Sequence, residues 1–317
     1  LKFYADVHRT KKNSERFRIT YSTDGITFKH IDRLGEIPAG PGDRLFMDTI
    51  PPQHTDGAIE LLRKGVGVYY LRRLTLIEKM RGELRLPRTA RGDIRGLMSI
   101  EEGWFRRVTE DFLVMRRMIL AHRSLSKTHQ QLLNKYRALS EAEKVVLKPA
   151  ISSIEKQLEE MAKKIDGEAG RRLPAYNVLL EGLGIDDSLA GREALAELLT
   201  YADFVDSSLR GLKKLLGLYK PTSSSRTDYW KLYDGKLRYA VHRLAMAFYN
   251  NRPNGRQCWE LVKKIRQLVV TASGTGIGPR QRGGKPHNYT HRGLKAFNRR
   301  SIFSGGLLPY NSGVWGS

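Results

Sequence analysis

The chain has 317 residues, 40% of them hydrophobic, and carries 56 Lys and Arg against 33 Asp and Glu, a formal net charge of +23. That length allows two domains with cores of their own, and that charge fits a polyanionic partner, with DNA or RNA ahead of a membrane surface. No run of about 20 apolar residues exists to span a bilayer. The opening LKFYADVHRTKK has no apolar signal segment, and the lone cysteine, Cys258, excludes an internal disulfide and any cysteine-based zinc site. A cytoplasmic chain is the simple expectation.

Residues 1–35 alternate as a small antiparallel sheet: Phe3, Ala5 and Val7 form one face, Phe17, Ile19 and Tyr21 another, and Ser22–Thr23–Asp24–Gly25 is a turn before Ile26, Phe28 and Ile31. After the Pro/Gly loop from Ile37 to Arg44, Leu45–Met47 reads as a short buried strand that ends at Asp48. Thr55–Lys64 is predicted as a helix capped by Thr55, and Val66–Leu71 as the next strand. Strand, helix, strand implies a parallel pair and an α/β layer. Arg81–Ala90 reads as basic and irregular, Asp93–Met98 as the start of another helix, and the α/β domain is expected to cover 1–107.

Two long helices follow as a helical linker over 108–170. The first covers Glu110–Arg137; the second opens on a capping box, Ser140 with Glu143 three residues later, and runs to about Ile165. Ile151, Ile154, Leu158, Met161 and Ile165 form a short coiled-coil seam, so the pair is an antiparallel hairpin or a dimerisation arm. A helical domain is expected over 171–270, with a turn at Gly182–Leu183–Gly184. The arm over 271–317 is rich in Gly and basic residues and has no acid.

Four sets of residues could carry chemistry. Asp6 inside the first strand, Asp48 at the end of a later one and Asp93 at a helix start can converge on a point and hold Mg²⁺ (or Mn²⁺); acids at strand ends and helix starts are also common without any site. Ser223, Ser224 and Ser225 precede Tyr229 and Trp230, and a serine oxygen can attack phosphorus when activated; a polar loop is the bland alternative. Gly182 and Gly184 either expose amides to a phosphate, as in a helix-hairpin-helix, or allow two helices to pack closely. Basic residues, Arg88 and Arg91 in the first domain and Lys213, Lys214, Arg226, Lys236, Arg238, Arg243 and Lys264 in the second, make a phosphate-contact pattern, interleaved in the second set with aromatics.

The order of these pieces over about residues 1–250 resembles the insertion-sequence 110 family (IS116/IS110/IS902) of transposases. NVLLEGLGI, Asn177–Ile185, is similar to the family's "PGIG" turn. Asp203–Phe204 is similar to the acid-and-Phe segment before its "GL.P" element, here Gly217–Leu218–Tyr219–Lys220–Pro221, and GKLRYAVHRLAMA, Gly235–Ala247, to its closing "G…LR..L..AA" helix. In the first domain Asp6 matches the first family acid, Asp48 stands where the family has glutamate, and Arg88–Ile94 resembles "KTD..DA", which makes Asp93 the fourth acid and puts Ala90 where the third belongs. The family's serine–glycine pair is replaced by SSSRTD, with Ser224 or Ser225 the matching nucleophile and Ser223 behind them.

The resemblance implies a RuvC/RNase H-like α/β domain, a helical coiled-coil linker and an all-α, helix-hairpin-helix-like C-terminal domain with a basic tail. It implies a DNA transposase or recombinase in which Asp6, Asp48 and Asp93 hold Mg²⁺ and a serine becomes covalently linked to DNA. It implies further a homodimer or tetramer, a guide RNA, and a nucleoid-associated place in a prokaryotic cytoplasm. The alternatives are a metal-dependent, structure-selective nuclease and a non-catalytic nucleic-acid-binding protein, the latter suggested by Ala90.

Overall fold

The computed structural model describes residues 1–9, 17–72, 74–185, 188–205, 207–218 and 234–273. Its first part is an open mixed sheet of six strands: β1 Lys2–Arg9, β2 Phe17–Ser22, β3 Lys29–Ile31, β4 Arg44–Met47, β5 Gly67–Leu71 and β6 Phe105–Arg107, in the order β3-β2-β1-β4-β5-β6. β1, β4 and β5 run parallel, while β2 lies antiparallel to β1 and β3, and β6 antiparallel to β5. The expected hairpin, the Leu45–Met47 strand and the parallel β4–helix–β5 unit are all present.

Helices cover both faces, so the central strands β1 and β4 bury both of their alternating side-chain sets. On one face Phe3, Ala5, Val7, Leu45 and Met47 pack with Ala58 and Leu61 of α1 (Thr55–Arg63) and with Phe112 and Leu113 of α4 (Glu110–Arg137). On the other, Tyr4 and Phe46 pack with Ile77 of α2 (Thr75–Glu83) and with Ile94 and Leu97 of α3 (Ala90–Met98). Two expectations are corrected here. Thr55 is the first residue of α1 and caps nothing; the chain enters through a 3-10 turn at Pro52–His54. Arg81 belongs to α2, whose apolar side buries only Ile77, too narrow a stripe to stand out among the surrounding basic residues.

α4 matches its predicted bounds, and α5 (Glu141–Arg172) runs beyond Ile165 because Ala169 continues its buried stripe. The Ser140–Glu143 capping box is formed. Side chains meet across the pair at Tyr136–Lys144, His129–Glu155 and Asp111–Arg172, which makes it an antiparallel hairpin. Its turn end is exposed, with Val145 72% and Val146 80% accessible.

The rest is helical: α6 Tyr176–Leu183, α7 Leu189–Tyr201, α8 Leu209–Leu215, α9 Gly235–Tyr249 and α10 Gly255–Ala272. They enclose a core that also takes in Met115 and Ile119 of α4, so α4 belongs to both halves. At the junction Arg106 donates to the carbonyls of Tyr201 and Thr200, and its guanidinium lies over the Phe112 ring at 4.8 Å. No described helix is long and apolar enough to cross a membrane.

Inside this core α7 buries two carboxylates, Glu193 and Glu197, each 2% exposed. Arg243 of α9 pairs with both, Arg123 of α4 with Glu197, and His122 Nδ1 lies 3.2 Å from Glu193. Burial raises the pKa of Glu197 even so, whereas at Glu193 the pull of His122 and Arg243 outweighs burial and lowers it. Removing one partner strands the others in a low dielectric. Glu197→Ala should therefore cost about 3–5 kcal/mol in urea unfolding; a loss below about 1 kcal/mol, the scale of a surface pair, would show that the network does not hold the helices together.

Candidate active site

The register of the sheet builds a polar row on the α2/α3 face. Asp6 lies opposite Thr20 across β1–β2, and Thr20 opposite His30 across β2–β3, where Thr20 Oγ1 and His30 Nδ1 are 2.9 Å apart. On the other side Ala5 pairs with Met47, so the next step along both parallel strands sets Asp6 beside Asp48. Alternation turns Tyr4 and Phe46 toward α2 and α3, and Asp6, His8 and Asp48 follow on the same side. The row sits toward the carboxyl ends of parallel strands, where open α/β sheets place their ligands.

α3 brings the third acid. Thr89 caps it, accepting a hydrogen bond from the Gly92 amide at 3.2 Å. A Cβ on Gly92 would stand 2.1 Å from the Pro87 carbonyl oxygen, so only glycine lets the chain turn into the helix this tightly. Asp93, one residue on, accepts a 2.8 Å hydrogen bond from Arg81 of α2.

Charge in this row is uncompensated. Burial, followed by repulsion from Asp48 and Asp93, pushes the Asp6 carboxyl up to about 8. Burial also lifts Asp48 to about 7, with Asp93 adding to it. Asp93 is raised by burial too, against the opposing pull of Arg81 and Arg88. His8 Nδ1 lies 3.3 Å from Asp6 Oδ2, yet burial, then His30 and Arg18, lowers its pKa from 6.5, so near neutral pH it supplies no cation.

The three acids do not make one ligand set: among the described residues no group of three or more His, Cys, Asp or Glu is placed to hold a metal ion. The expectation of Asp93 as a third ligand gives way to a pairing with Arg81. Asp6 and Asp48 remain as a two-carboxylate site. That suits Mg²⁺ or Mn²⁺, which keeps several waters and is completed by phosphate oxygens. The buried Asp48 Oδ1 has no hydrogen-bond partner, and a cation would satisfy it.

The other expected residues fall in different places. Arg88 and Arg91 are exposed, Arg88 near enough for its charge to act on Asp93 and Arg91 with its guanidinium 5.4 Å over the Phe28 ring. Lys213 lies over Trp259 at 5.2 Å and Lys264 over Phe248 at 5.0 Å, while Lys214, Lys236 and Arg238 are exposed on α8 and α9. Arg243 is not a phosphate contact: its guanidinium is held by Glu193 and Glu197. Close packing is the alternative that the glycine turn follows. A Cβ on Gly182 would come within 2.9 Å of Leu268 on α10, and Gly184, at φ 63°, caps α6 with its amide donating to Leu180 and Glu181. Ser223, Ser224, Ser225 and Arg226 lie outside the described residues.

A cleft of about 880 Å³ lies away from the acids, on the opposite side of the sheet between α1, α4 and α5. Its walls are charged, and the pairs Arg63–Glu110, Arg117–Asp56 and Arg172–Glu168 already neutralise many of them. No protein-family model matches the chain, and no curated protein matches it in sequence.

The raised carboxylates set a pH signature. In the unfolded chain Asp6 ionises near 3.8, but in the fold it keeps its proton to about 8. The unfolded state thus binds fewer protons across that window, and metal-free stability falls as pH rises through it. Asp6→Asn should raise stability at pH 8 by an amount on the order of a few kcal/mol and leave it unchanged near pH 3. Mg²⁺ should raise the melting temperature of the unsubstituted protein at pH 8 but not that of Asp6→Asn; equal pH profiles for the two proteins would refute the crowding of the acids. Gly92→Ala, which forces α3 away from Pro87, should destabilise the fold by about 1–3 kcal/mol in denaturant titration and diminish the Mg²⁺ response.

Proposed function

We propose that this chain is a DNA recombinase or transposase of the insertion-sequence 110 type, with a RuvC/RNase H-like first domain. The observation that carries this is the Asp6–Asp48 pair: a buried carboxylate on β1 and a half-buried one just past the end of the parallel β4, both with raised pKa, with exposed Arg88 near Asp93 and Arg91 exposed on α3. Such a pair suits a divalent ion and a phosphodiester, and the net charge of +23 suits the polyanion that contains one.

Asp6 and Asp48 would hold Mg²⁺ or Mn²⁺, which supplies charge neutralisation and polarisation at a phosphate oxygen when bound. Arg81 holds Asp93 toward α2, so the third acid stands near the site without being a third ligand. Arg88 and Arg91 orient the phosphate. From the family resemblance, Ser224 or Ser225 attacks phosphorus; its oxygen replaces one ester oxygen, leaving a serine–phosphate ester and a free DNA hydroxyl end. A structured guide RNA and assembly into dimers or tetramers belong to the same reading.

A metal nuclease is the second reading, favoured by one fact: the acid pair comes from β1 and the end of β4 and needs no serine. The two separate in a cleavage assay with Mg²⁺ or Mn²⁺ on supercoiled and branched DNA, with copurified RNA retained. A protein–DNA adduct that Asp48→Asn and the Ser224→Ala/Ser225→Ala double variant each abolish is the expected result. Free nicked product that survives the serine replacements would establish the nuclease. Tight binding with no product under either metal would make Ala90 the mark of a non-catalytic binder.

A further inference from the structure

We propose that the turn between β2 and β3 is a wedge: Ile26 inserts into a base step of duplex DNA while Arg91 and Arg95 on α3, with Arg88 just before it, hold the flanking phosphates. The inference rests on the reading of the acid pair as a DNA site and adds the element that deforms the DNA.

Ile26 is 79% exposed at the tip of this turn. A single exposed isoleucine needs no explanation by itself, but this one is held in place. Asp24 Oδ1 accepts from the amides of Ile26 and Thr27, both at 2.8 Å, and Ser22 Oγ donates to Asp24 at 2.9 Å while accepting from the Gly25 amide at 2.9 Å. Gly25, at φ 73°, rests on the end of α3: a Cβ there would stand 3.0 Å from Met98 Sδ, and Arg95 Nε donates to the Gly25 carbonyl at 2.9 Å. The turn is therefore docked on a helix before any ligand arrives, and presenting Ile26 carries little ordering cost.

α3 also sets the direction. Its first turns carry Asp93, beside Asp6 and Asp48, and its last residue, Met98, lies under the wedge. Between them Arg91 and Arg95, four residues apart on one face and about 6 Å apart along the axis, both lie over the Phe28 ring, at 5.4 and 5.5 Å. Arg88 precedes the cap and adds its field at Asp93. A line of guanidinium groups thus leads from the acid pair to an exposed apolar tip. DNA offers the matching pattern, phosphates on either side of an apolar gap between base pairs, and isoleucine is among the side chains that unstack and kink a step. A kink there would open the backbone toward the acids.

The test uses the full chain in EDTA, so that binding is read without cleavage, on duplex oligonucleotides carrying 2-aminopurine at successive positions. The wild-type protein should brighten the probe at one step. Ile26→Ala should remove that signal and weaken binding roughly tenfold with the salt slope unchanged, and Ile26→Leu should restore both. Arg91→Ala should instead lower the salt slope by about 1. Binding and fluorescence that are the same in Ile26→Ala would overturn the wedge and leave the acid-site reading standing. Brightening on the matched RNA duplex alone would overturn the DNA partner. Failure of the wild-type protein to bind duplex DNA at low salt would bring down both readings.

Discussion

Two carboxylates inside a helical core fix the shape of this molecule. Glu193 and Glu197 stand one turn apart on α7 and are cut off from water, so each must find a cation within the fold. Arg123 and His122 come from α4 and Arg243 from α9. A shift of α4 or α9 along its axis would strand a buried charge, so the three helices have one allowed register. α4 also carries Phe112 and Leu113 into the sheet core and Met115 and Ile119 into the helical core. The ion network therefore sets where the sheet, with its acids, lies against the helices that follow.

The second pair of acids is handled in the opposite way. Asp6, buried, and Asp48, half-buried, also lie side by side, but the nearest imidazole, His8, is kept neutral, and Arg81 spends its hydrogen bond on Asp93. The fold thus contains one carboxylate pair that is neutralised from within and one that is left to be neutralised from without. Stability does not require the second arrangement, which works against it whenever the acids ionise. Uncompensated carboxylates in one row are where a function is expected to sit, because something outside the chain must complete them.

Much of this was legible in the chain. Alternation marked β1 and β2, the length and stripe of α4 gave its bounds, and Asp6 and Asp48 were placed by their strands before any register was known. What escaped depends on partners distant in sequence. Arg243 sits on a helix with exposed Lys236 and Arg238, and nothing in the helix itself says that it alone faces two glutamates; yet REALAEL, with acids four apart in an apolar helix, was a visible signal that cations had to come from elsewhere. For Gly182 both phosphate binding and close packing were open in sequence, because its neighbour in space, Leu268, lies 86 residues on. α2 was missed because one buried residue per helix leaves almost no periodicity.

Ala90 has a physical consequence of its own. It occupies the first turn of α3, where a carboxylate would be favoured by the helix dipole, so its absence gives up a stable position for an acid. On the proposed reading, a divalent ion held by two carboxylates rather than three would draw its remaining ligands from water and from phosphate oxygens. On that reading, metal and nucleic acid then complete one another's sites, and the affinity of each rises with the other by the same factor. A site of that kind stays largely empty of metal until a phosphodiester is seated, which confines the reactive arrangement to chains already bound to their DNA. The weak metal site is then a reason for specificity rather than a sign of decay, provided that Arg88 and Arg91 seat the phosphate first.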